Sequence, residues 1–511
     1  MSKKSIGWVS HKDNNSIVYT DKGTEIKGFL HESMRGETIY PGSPVVINGT
    51  DQKTGNHYRI FARVRKIETH NQYSYIESQG KGVQGFEMPI ILEPYHEITD
   101  NYAGPFQHLH SLSAAQIFFP DGEEYYEVLN LPKSGIPLGI LNEGGMNGNM
   151  LPYLYDADKI FRSMFVTGMQ GVGKTSFLKY LSCVYSNKSG EKPATIILDI
   201  EQEFTSLNKL KPDSKAKKFL NKIKMCGKIN SEVIEIESDG LVGKVLDPSL
   251  LDPEDLLILM PGLSEVTAPR MKIILEQVWK DLSAGKTPFG MKDIIDHATW
   301  KIDLGSIANI QQSQKIAMKN ALNTLELNVF DQVGKPKLAL GDILKAGKTT
   351  VIDIHSLKES ERRTVVLYLM IVLAKYKMRT KNNKPDVLLV IDEAHEFFPA
   401  ENKSVLRKEY LKRVESFVKA IPHKGRKRSY GLIFATQHPA DVSKMITDLC
   451  STKVIFRTVE YTQERWINAQ LRKGYSQKVK DLRDGEAFIT CKDIHPDPIP
   501  IYTPFLGSIG S

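Results

Sequence analysis

A glycine-rich segment of eight residues has the features of a phosphate-binding loop. Residues 168–175 have the sequence GMQGVGKT, which matches the pattern G-x-x-x-x-G-K-[ST]. An apolar run, Met164–Thr167, comes directly before it, and a helix-forming run comes directly after it. Glycines in such a loop let successive backbone N–H groups turn toward phosphate oxygens at the positive end of the helix. The pattern and its context therefore predict a nucleotide site between a buried strand and a helix.

A second apolar run ends in two adjacent carboxylates. Residues 386–393 have the sequence DVLLVIDE, which predicts a buried strand that ends at Asp392 and Glu393. In a P-loop site Lys174 adds a point charge to the β- and γ-phosphate oxygens, and the Thr175 hydroxyl ligates Mg²⁺. Asp392 would hold the same ion through water, while Glu393 would polarise the attacking water as a general base. The pair is typical of hydrolases rather than of GTP switches or kinases.

ATP and Mg²⁺ are therefore the predicted cofactors, with Thr175 and Asp392 as the predicted metal residues. The residues predicted to contact the nucleotide are Gly168, Gln170, Gly171, Val172, Gly173, Lys174, Thr175, Ser176 and Asp392.

The length of chain after the carboxylates bears on how the nucleotide cleft is completed. Residues 392–395 have the sequence D-E-A-H, a motif also found in helicases with two RecA-like lobes. Such helicases need a second lobe with its own arginine motif, but only residues 396–511 follow, which is enough to finish one sheet. One lobe supplies one face of the cleft. The completing arginine is therefore expected from a neighbouring subunit, which implies a ring.

The charge of the chain matters only where it is concentrated. There are 68 Lys and Arg against 60 Asp and Glu, a net charge of +8. The segment 209–228 contains eight lysines, and 403–428 contains ten Lys or Arg. Each segment is either a contact for a polyanion or a solvated helix face, and the sequence leaves both open. Since no zinc finger, helix-turn-helix or RNP-type motif is present, sequence-specific readout of nucleic acid is not expected.

Membrane-spanning, secreted and cysteine-based classes of protein are disfavoured. The longest apolar run, Val365–Ala374, has ten residues, about half of what a bilayer span needs. No apolar stretch follows the Met-Ser-Lys-Lys start, so no secretory signal is expected. The four cysteines lie far apart without a C-x-x-C pair, which argues against a disulfide scaffold or a zinc knuckle. These features predict a cytoplasmic protein without membrane attachment.

The pattern of apolar residues changes along the chain. Near the N-terminus, short alternating runs between turn residues predict a small β-barrel. Its strand candidates are Ser16–Tyr19, Glu25–Leu30, Pro44–Ile47, Tyr58–Ile67 and Tyr73–Glu77. From about residue 160, unbroken β-branched runs alternate with helices and predict a mainly parallel sheet. Its strand candidates are Met164–Thr167, Thr195–Ile200, Thr349–Ile354, Asp386–Asp392, Gly431–Thr436, Lys453–Arg457 and Glu486–Thr490.

The expected fold is therefore α/β, a RecA-like P-loop ATPase core with a mainly parallel sheet, an N-terminal β-barrel and an all-α insertion. The expected domains are a barrel (1–105), a connector (106–155), a first core part (156–235), a helical insertion (236–335), a second core part (336–495) and a proline-rich tail on a surface (496–511).

Four motifs together resemble the HerA branch of the HerA/FtsK translocases. They are the P-loop, DIEQEF at 199–204, DEAH at 392–395 and GRKRSYGLIFATQHP at 425–439. The expected barrel and insertion also fit the architecture of that family, so the resemblance covers nearly the whole chain. The resemblance implies a hexameric DNA-translocating ATPase. The sequence itself leaves open whether the ring has six or seven subunits.

The resemblance also implies roles for single residues. Arg426 would be an arginine finger that acts on a neighbouring subunit, with Arg428 as a substitute, because the segment continues as Arg-Ser-Tyr where the family more often has an aromatic residue and glycine. Arg162 resembles a second arginine directed at a neighbour's nucleotide. Gln437 would sense the γ-phosphate or the attacking water. The predicted catalytic residues are thus Glu393, Arg426, Gln437 and Arg162, with Asp199 and Glu203 near the cleft entrance.

The implied partners are DNA, passing through the ring pore without sequence specificity, and a second protein. The chain has no metal-spaced acidic cluster apart from the ATP site, so nuclease chemistry would come from a NurA-like nuclease or another antiphage effector that docks on the barrel. Two alternatives remain open. One is an ATPase scaffold that gates a partner effector without processive unwinding, and the other is a secretion or conjugation ATPase, which usually has membrane attachment.

Overall fold

A computed structural model describes most of the chain and divides it into two compact units. The first comprises 1–135, 140–155 and 494–501, and the second 136–139, 156–493 and 502–511. Within them the described residues are 5–9, 17–20, 23–31, 39, 43–51, 53–67, 88–107, 112, 115–122, 124–129, 131–142, 150–225, 227–236, 243–284, 289–305, 310–325, 327–330, 335–379, 384–404, 406–471, 475–492 and 495–507.

The described part of the first unit contains a six-stranded barrel. Its elements are β1 (Gly7–Val9), β2 (Ile17–Thr20), β3 (Gly23–Leu30), β4 (Pro44–Thr50), β5 (His57–Ile67), β6 (Met88–Thr99), β7 (Tyr102–Pro105), β8 (Gln116–Phe118) and α1 (Glu124–Val128). The order β3-β1-β8-β4-β5-β6 is closed by a further pairing of β3 with β6, while β2 and β7 extend the sheet. Alternate side chains, such as Ile26, Ile47, Ile60 and Ile117, fill the interior.

Four of the five strands expected in this region coincide with β2–β5, and the fifth, Tyr73–Glu77, lies outside the described residues. The barrel also runs past residue 105, where the sequence placed its end, because β8 pairs with β1 and β4. A strand of three residues is too short to show an alternating pattern.

The second unit is built around a central sheet. The strands of the remaining chain are β9 (Ile136–Leu141), β10 (Pro152–Tyr155), β11 (Met164–Thr167), β12 (Ala194–Asp199), β13 (Lys211–Pro212), β14 (Ser231–Glu235), β15 (Thr349–Asp353), β16 (Val387–Ile391), β17 (Tyr430–Thr436), β18 (Thr452–Phe456), β19 (Glu486–Cys491), β20 (His495–Tyr502) and β21 (Leu506–Gly507). The second unit's sheet has the order β19-β18-β11-β17-β16-β12-β15-β14. Neighbouring strands in it are parallel, except that β18 and β19 are antiparallel.

Helices connect these strands. In the order of the chain they are α2 (Lys174–Asn187), α3 (Ser214–Lys222), α4 (Pro253–Leu259), α5 (Thr267–Ala284), α6 (Met291–Leu304), α7 (Gln312–Leu322), α8 (Leu340–Ile343), α9 (Glu359–Arg379), α10 (Lys408–Gly425), α11 (Lys444–Leu449), α12 (Tyr461–Gln470) and α13 (Tyr475–Lys480). Helices α4–α8 lie between β14 and β15 in the chain. Their buried residues, among them Met271, Ile294 and Met318, belong to the same hydrophobic core as Leu198 and Ile352 of the sheet.

The longest apolar run of the sequence belongs to a core helix. Val365–Ala374 lies within α9, and every residue of the run is buried. A helix that is apolar on all sides fits the interior of a large domain. Among the helices of the described chain, none is both long and apolar enough to span a bilayer.

The proline-rich end differs from the expected surface tail. Residues His495–Tyr502 form strand β20, whose neighbour in the sheet is β9. Prolines at 496, 498 and 500 occupy alternate positions, so the missing N–H groups all fall on the same edge of the strand. The Pro500 carbonyl still accepts a hydrogen bond from the backbone of Asn142, at 3.0 Å. Proline content alone was therefore a poor guide to this segment.

Candidate nucleotide-binding site

Four neighbouring strands carry the predicted site. The strands β11, β17, β16 and β12 are adjacent and parallel, so their carboxyl ends meet at one edge of the sheet. The P-loop follows β11, Gln437 follows β17, Asp392 and Glu393 follow β16, and Asp199 ends β12. Residues far apart in the chain thereby line one cavity of about 710 Å³, a volume typical of small-molecule sites.

The P-loop joins β11 to α2 without a side-chain cap. Gly173, at the N-cap of α2, has a φ of 118°, in the left-handed region that a residue with a Cβ rarely adopts. The Lys174 side chain curls back over the loop, and its Nζ donates to the Gly168 and Met169 carbonyl oxygens at 2.8 and 3.0 Å. Only 7% of Lys174 is exposed. Burial lowers its pKa, and the carboxylates of nearby acidic residues oppose that shift.

The two strand-end carboxylates have opposite environments. Burial raises the pKa of Asp392 to about 7, and the charge of Glu393 acts in the same direction. Burial also raises the pKa of Glu393, but hydrogen bonds from His395 and Gln437 outweigh it, so the pKa lies below its ordinary value. Environments that move the pKa values of two neighbouring acids apart are typical of sites where the acids have different tasks. Glu393 is suited to remain ionised and Asp392 to pair with a cation.

Glu393 is fixed by two side chains. Gln437 donates from Nε2 to Glu393 Oε1 at 2.7 Å, and His395 Nδ1 lies 3.2 Å from the other carboxylate oxygen. The backbone of Glu393 has a φ of 46°, which is unusual for a residue other than glycine. Such strain persists where the surrounding contacts enforce it, and it is concentrated at functional sites. The sequence placed His395 in the D-E-A-H motif but gave it no role; the contact with Glu393 gives it one.

The donors around Thr175 fit Mg²⁺. The Thr175 hydroxyl donates to Glu203, and Asp392 accepts the Glu393 backbone N–H at 2.9 Å. Hydroxyl and carboxylate oxygens are the ligands that Mg²⁺ prefers, and the raised pKa of Asp392 reflects a buried carboxylate in need of positive charge. No cluster of three or more His, Cys, Asp or Glu side chains that could cage a metal occurs in the described chain. Mg²⁺ usually keeps several waters and binds phosphates, so one hydroxyl and one carboxylate are enough as its protein ligands.

Asp199 shapes the loop that carries Glu203. Its two carboxylate oxygens accept the backbone N–H groups of Glu203 and Phe204, at 3.1 and 2.9 Å. Asp199 is 1% exposed, and burial raises its pKa to about 6. Asp199 thus lies beneath the cleft as a positioning residue, while Glu203 lines the cavity.

The predicted arginines lie at the opposite edge of the sheet. Arg162 ends the 3-10 turn before β11, and Arg426 begins the 3-10 turn before β17, whereas the P-loop and Gln437 follow those strands. The seven residues of β17 span roughly 23 Å. The structure therefore does not bring either arginine to the cleft of its own chain, and their action on a neighbour stays a prediction.

Three cavity residues come from a part of the chain to which the sequence assigned no site. Phe505, Leu506 and Gly507 line the same cavity as the P-loop. No local signal marks them, because their position depends on pairing between β21 and β13.

We predict that Asp392→Asn stabilises the protein in the absence of Mg²⁺ and nucleotide at high pH. Because folding raises this pKa from 3.8 to about 7, the carboxyl's contribution to stability is fully present below 3.8 and lost as pH rises through 7. Asparagine keeps an oxygen for the Glu393 N–H and has no charge to bury. The variant should melt a few degrees above wild type at pH 8, and the difference should shrink toward pH 5.

The exposed Asp448 supplies a matched control, since Asp448→Asn should change the melting temperature equally little at both pH values. A pH-independent effect of Asp392→Asn would mean that Asp392 ionises without cost.

Two models of known protein families match the part of the chain that contains the site residues. The family model for the HerA helicase central domain matches 141–371, and the model for the HerA-like helicase C-terminal domain matches 280–464. The DNA double-strand break repair helicase HerA of Saccharolobus solfataricus is 24% identical over 370 residues, 69% of this chain and 66% of that protein. A probable HerA repair helicase of Methanocaldococcus jannaschii is 26% identical over 287 residues, 54% of this chain. The chain spans 66% and 49% of the length of these two relatives.

Solved structures share the fold. The conjugative coupling protein TrwB in an unbound form has a TM-score of 0.51 at 13% identity, covering 76% of this chain and 94% of TrwB. TrwB with a non-hydrolysable ATP analogue gives 0.51 at 12% identity, covering 77% and 94%. At this identity the likeness concerns the fold alone, and it confirms the predicted α/β P-loop fold. The two family models together span 141–464, a stretch that contains the P-loop, both strand-end carboxylates and Gln437. The chain belongs to the HerA-type P-loop ATPases.

Proposed function

We propose that this chain forms a ring that hydrolyses ATP and moves DNA, acting with a nuclease or another effector in DNA end processing or antiphage defence. The observation that supports hydrolysis most directly is the Glu393 carboxylate, held by Gln437 at 2.7 Å beside the P-loop. The names of the curated relatives, DNA double-strand break repair helicases, support DNA as the polymer. In this proposal the effector docks on the barrel, and the two core parts and the insertion have the bounds that the sequence predicts.

Nucleotide binding in this proposal uses the loop and Lys174. The backbone N–H groups of the P-loop and the start of α2 face the phosphates, and Lys174 exchanges its two carbonyl contacts for β- and γ-phosphate oxygens. Thr175 and Asp392 would hold Mg²⁺, which neutralises negative charge on the phosphates when bound. Glu203 accepts from the Thr175 hydroxyl, and in this proposal metal binding replaces that contact.

Proton transfer is assigned to Glu393. Its lowered pKa keeps it ionised at neutral pH, so it can orient the attacking water and take its proton. Gln437 and His395 bind the two carboxylate oxygens and limit rotation of the side chain. The hydrogen bond to Glu393 raises the pKa of His395, which strengthens its charge-assisted contact with the base.

Two substitutions separate binding from hydrolysis. Lys174→Ala should abolish ATP binding, because the charge-assisted contact with the β/γ-phosphates is lost. Glu393→Gln should bind ATP normally and hydrolyse it about 10²–10⁴-fold more slowly, since the amide cannot accept the proton. Calorimetric titration with ATP and measurement of phosphate release give the two quantities.

Glu401→Gln, which alters an exposed carboxylate, is the matched control and should keep wild-type turnover. Turnover of Glu393→Gln within a few fold of wild type would mean that another group is the base.

Completion of the cleft by a neighbour is the basis of the proposed homohexamer. Since Arg162 and Arg426 lie at the edge of the sheet away from the P-loop, a second subunit that presents this edge could supply both. A trans arginine stabilises charge that develops on the transferred phosphoryl group.

Arg426→Ala should keep ATP binding and lose about 10³–10⁵ in hydrolysis rate. The test is mixing: Arg426→Ala subunits combined with Glu393→Gln subunits should regain activity, because some clefts then join an intact Glu393 with a neighbour's intact Arg426. Subunit exchange is checked by energy transfer between labelled subunits. If exchange occurs and no activity returns at any ratio, Arg426 does not act in trans, and Arg428 and Arg162 are tested in the same way.

DNA contact is assigned to the lysine segment 209–228. Helix α3 buries Ala216, Phe219 and Leu220 on one side. Its lysines and those of the flanking loops are all exposed, namely Lys209, Lys211, Lys215, Lys217, Lys218, Lys222, Lys224 and Lys228. Such a surface can bind phosphates without reading sequence, so its affinity should fall steeply with salt.

Duplex DNA of arbitrary sequence should strongly stimulate ATP turnover, and a double Lys217→Ala, Lys218→Ala variant should reduce that stimulation. The slope of log affinity against log salt should fall by about 1 for each lysine that contacts a phosphate. The pair Lys280→Ala, Lys292→Ala, two exposed lysines of α5 and α6, is the control. If the two double variants had equal slopes of log affinity against log salt, α3 would not be part of the DNA-binding surface. Weak stimulation of the wild type would favour the scaffold alternative, in which the ATPase gates a docked effector.

A further inference from the structure

The segment 502–507 is attached to the P-loop through a short chain of main-chain hydrogen bonds. The Gly485 N–H donates to the Val172 carbonyl of the P-loop at 2.8 Å, and the Thr503 N–H donates to the Gly485 carbonyl at 2.8 Å. On its other side β21 pairs with β13, with Leu506 opposite Pro212. The position of this segment relative to the phosphate site is thus set by backbone contacts at both of its ends.

Phe505 lies between these two attachments. Its carbonyl accepts the Asp213 N–H at 3.3 Å, and the next residue, Leu506, is 1% exposed. A Cβ at position 507 would lie 3.0 Å from Phe505 Cε1, so the glycine there lets the ring rest against the backbone. The Phe505 side chain itself is 49% exposed and lines the cavity shared with the P-loop.

An exposed aromatic ring on a fixed backbone is suited to a flat ligand. The phosphate end of the cavity contains Lys174 and Thr175, and the polar side chains of Gln202, Thr205 and Ser206 also line the cavity. A ligand that fills both parts has a phosphate chain at one end and a planar, partly polar group at the other. Stacking on an aromatic side chain tolerates any base, because every base has a π-face.

We infer that Phe505 stacks on the base of the nucleotide whose phosphates bind the P-loop, so that segment 502–507 forms the base subsite. This inference rests on the proposed nucleotide site and adds the residue that binds the other end of the ligand. Because stacking carries no hydrogen-bond code, the subsite favours large purine bases over pyrimidines through contact area and discriminates adenine from guanine weakly.

The test compares ATP with inorganic tripolyphosphate, which lacks the base. Phe505→Ala should raise the Kd for ATP about 5- to 150-fold, the usual range for loss of one base–aromatic stack, and leave the Kd for tripolyphosphate unchanged. The preference of the wild type for ATP and GTP over CTP should diminish in the variant. Trp300→Ala, which removes a similarly exposed aromatic side chain of α6 (53% exposed), should bind ATP as wild type does.

A second variant guards against an effect on folding. Phe505→Trp should keep ATP affinity, and ATP should change its indole fluorescence whereas tripolyphosphate should not. Unchanged ATP affinity in Phe505→Ala, or an equal loss for ATP and tripolyphosphate, would overturn the inference and leave the P-loop site in place. If wild type bound neither ligand, the proposed nucleotide site itself would fail.

Discussion

Several carboxylates and one buried ammonium must lie close together at the carboxyl end of one sheet, around the phosphate-binding loop. Each carboxylate meets this constraint differently. Asp199 accepts two backbone N–H groups, Glu393 is bound by Gln437 and His395, and Glu203 accepts from Thr175. Burial raises the pKa of Asp392 to about 7 and that of Asp199 to about 6, and of the two only Asp392 lines the cavity, where a cation could pair with its charge. In the proposed mechanism Asp392 is therefore the carboxylate that holds the metal, and Glu393 is the base.

The helical insertion does not interrupt the four strands that carry the site. The strands that carry the site are adjacent in the sheet, and helices α4–α8 enter between β14 and β15, at one end of the strand order. An insertion at that place enlarges the hydrophobic core without separating the P-loop from the paired carboxylates. The barrel forms its own core in the other unit. Additions of this kind let one phosphate-binding sheet serve different partners.

Glu393 links local strain to chemistry. Its left-handed backbone and its two side-chain partners come from three neighbouring positions at the ends of β16 and β17. Replacing either His395 or Gln437 would change the direction of the carboxylate. It would also raise the pKa of Glu393, because one of the hydrogen bonds that lower it would be lost. The direction of the Glu393 carboxylate is thus set by the junction of two strands.

The sequence by itself determined the phosphate site, because a P-loop is a local structure: its glycines, lysine and threonine are contiguous between a strand and a helix. It also identified the carboxylates, seven of the eight strands of the second unit's sheet to within about a residue, and the family. Only the tertiary structure decided the contact of Gln437 with Glu393, the position of Glu203 beside Thr175, the inclusion of β8 in the barrel and the presence of residues 505–507 in the cavity. These depend on pairing between segments far apart in the chain, which leaves no periodicity or spacing in either segment. The proline-rich strand β20 shows the same limit, since its composition predicted a tail and its neighbour β9 made it part of a sheet.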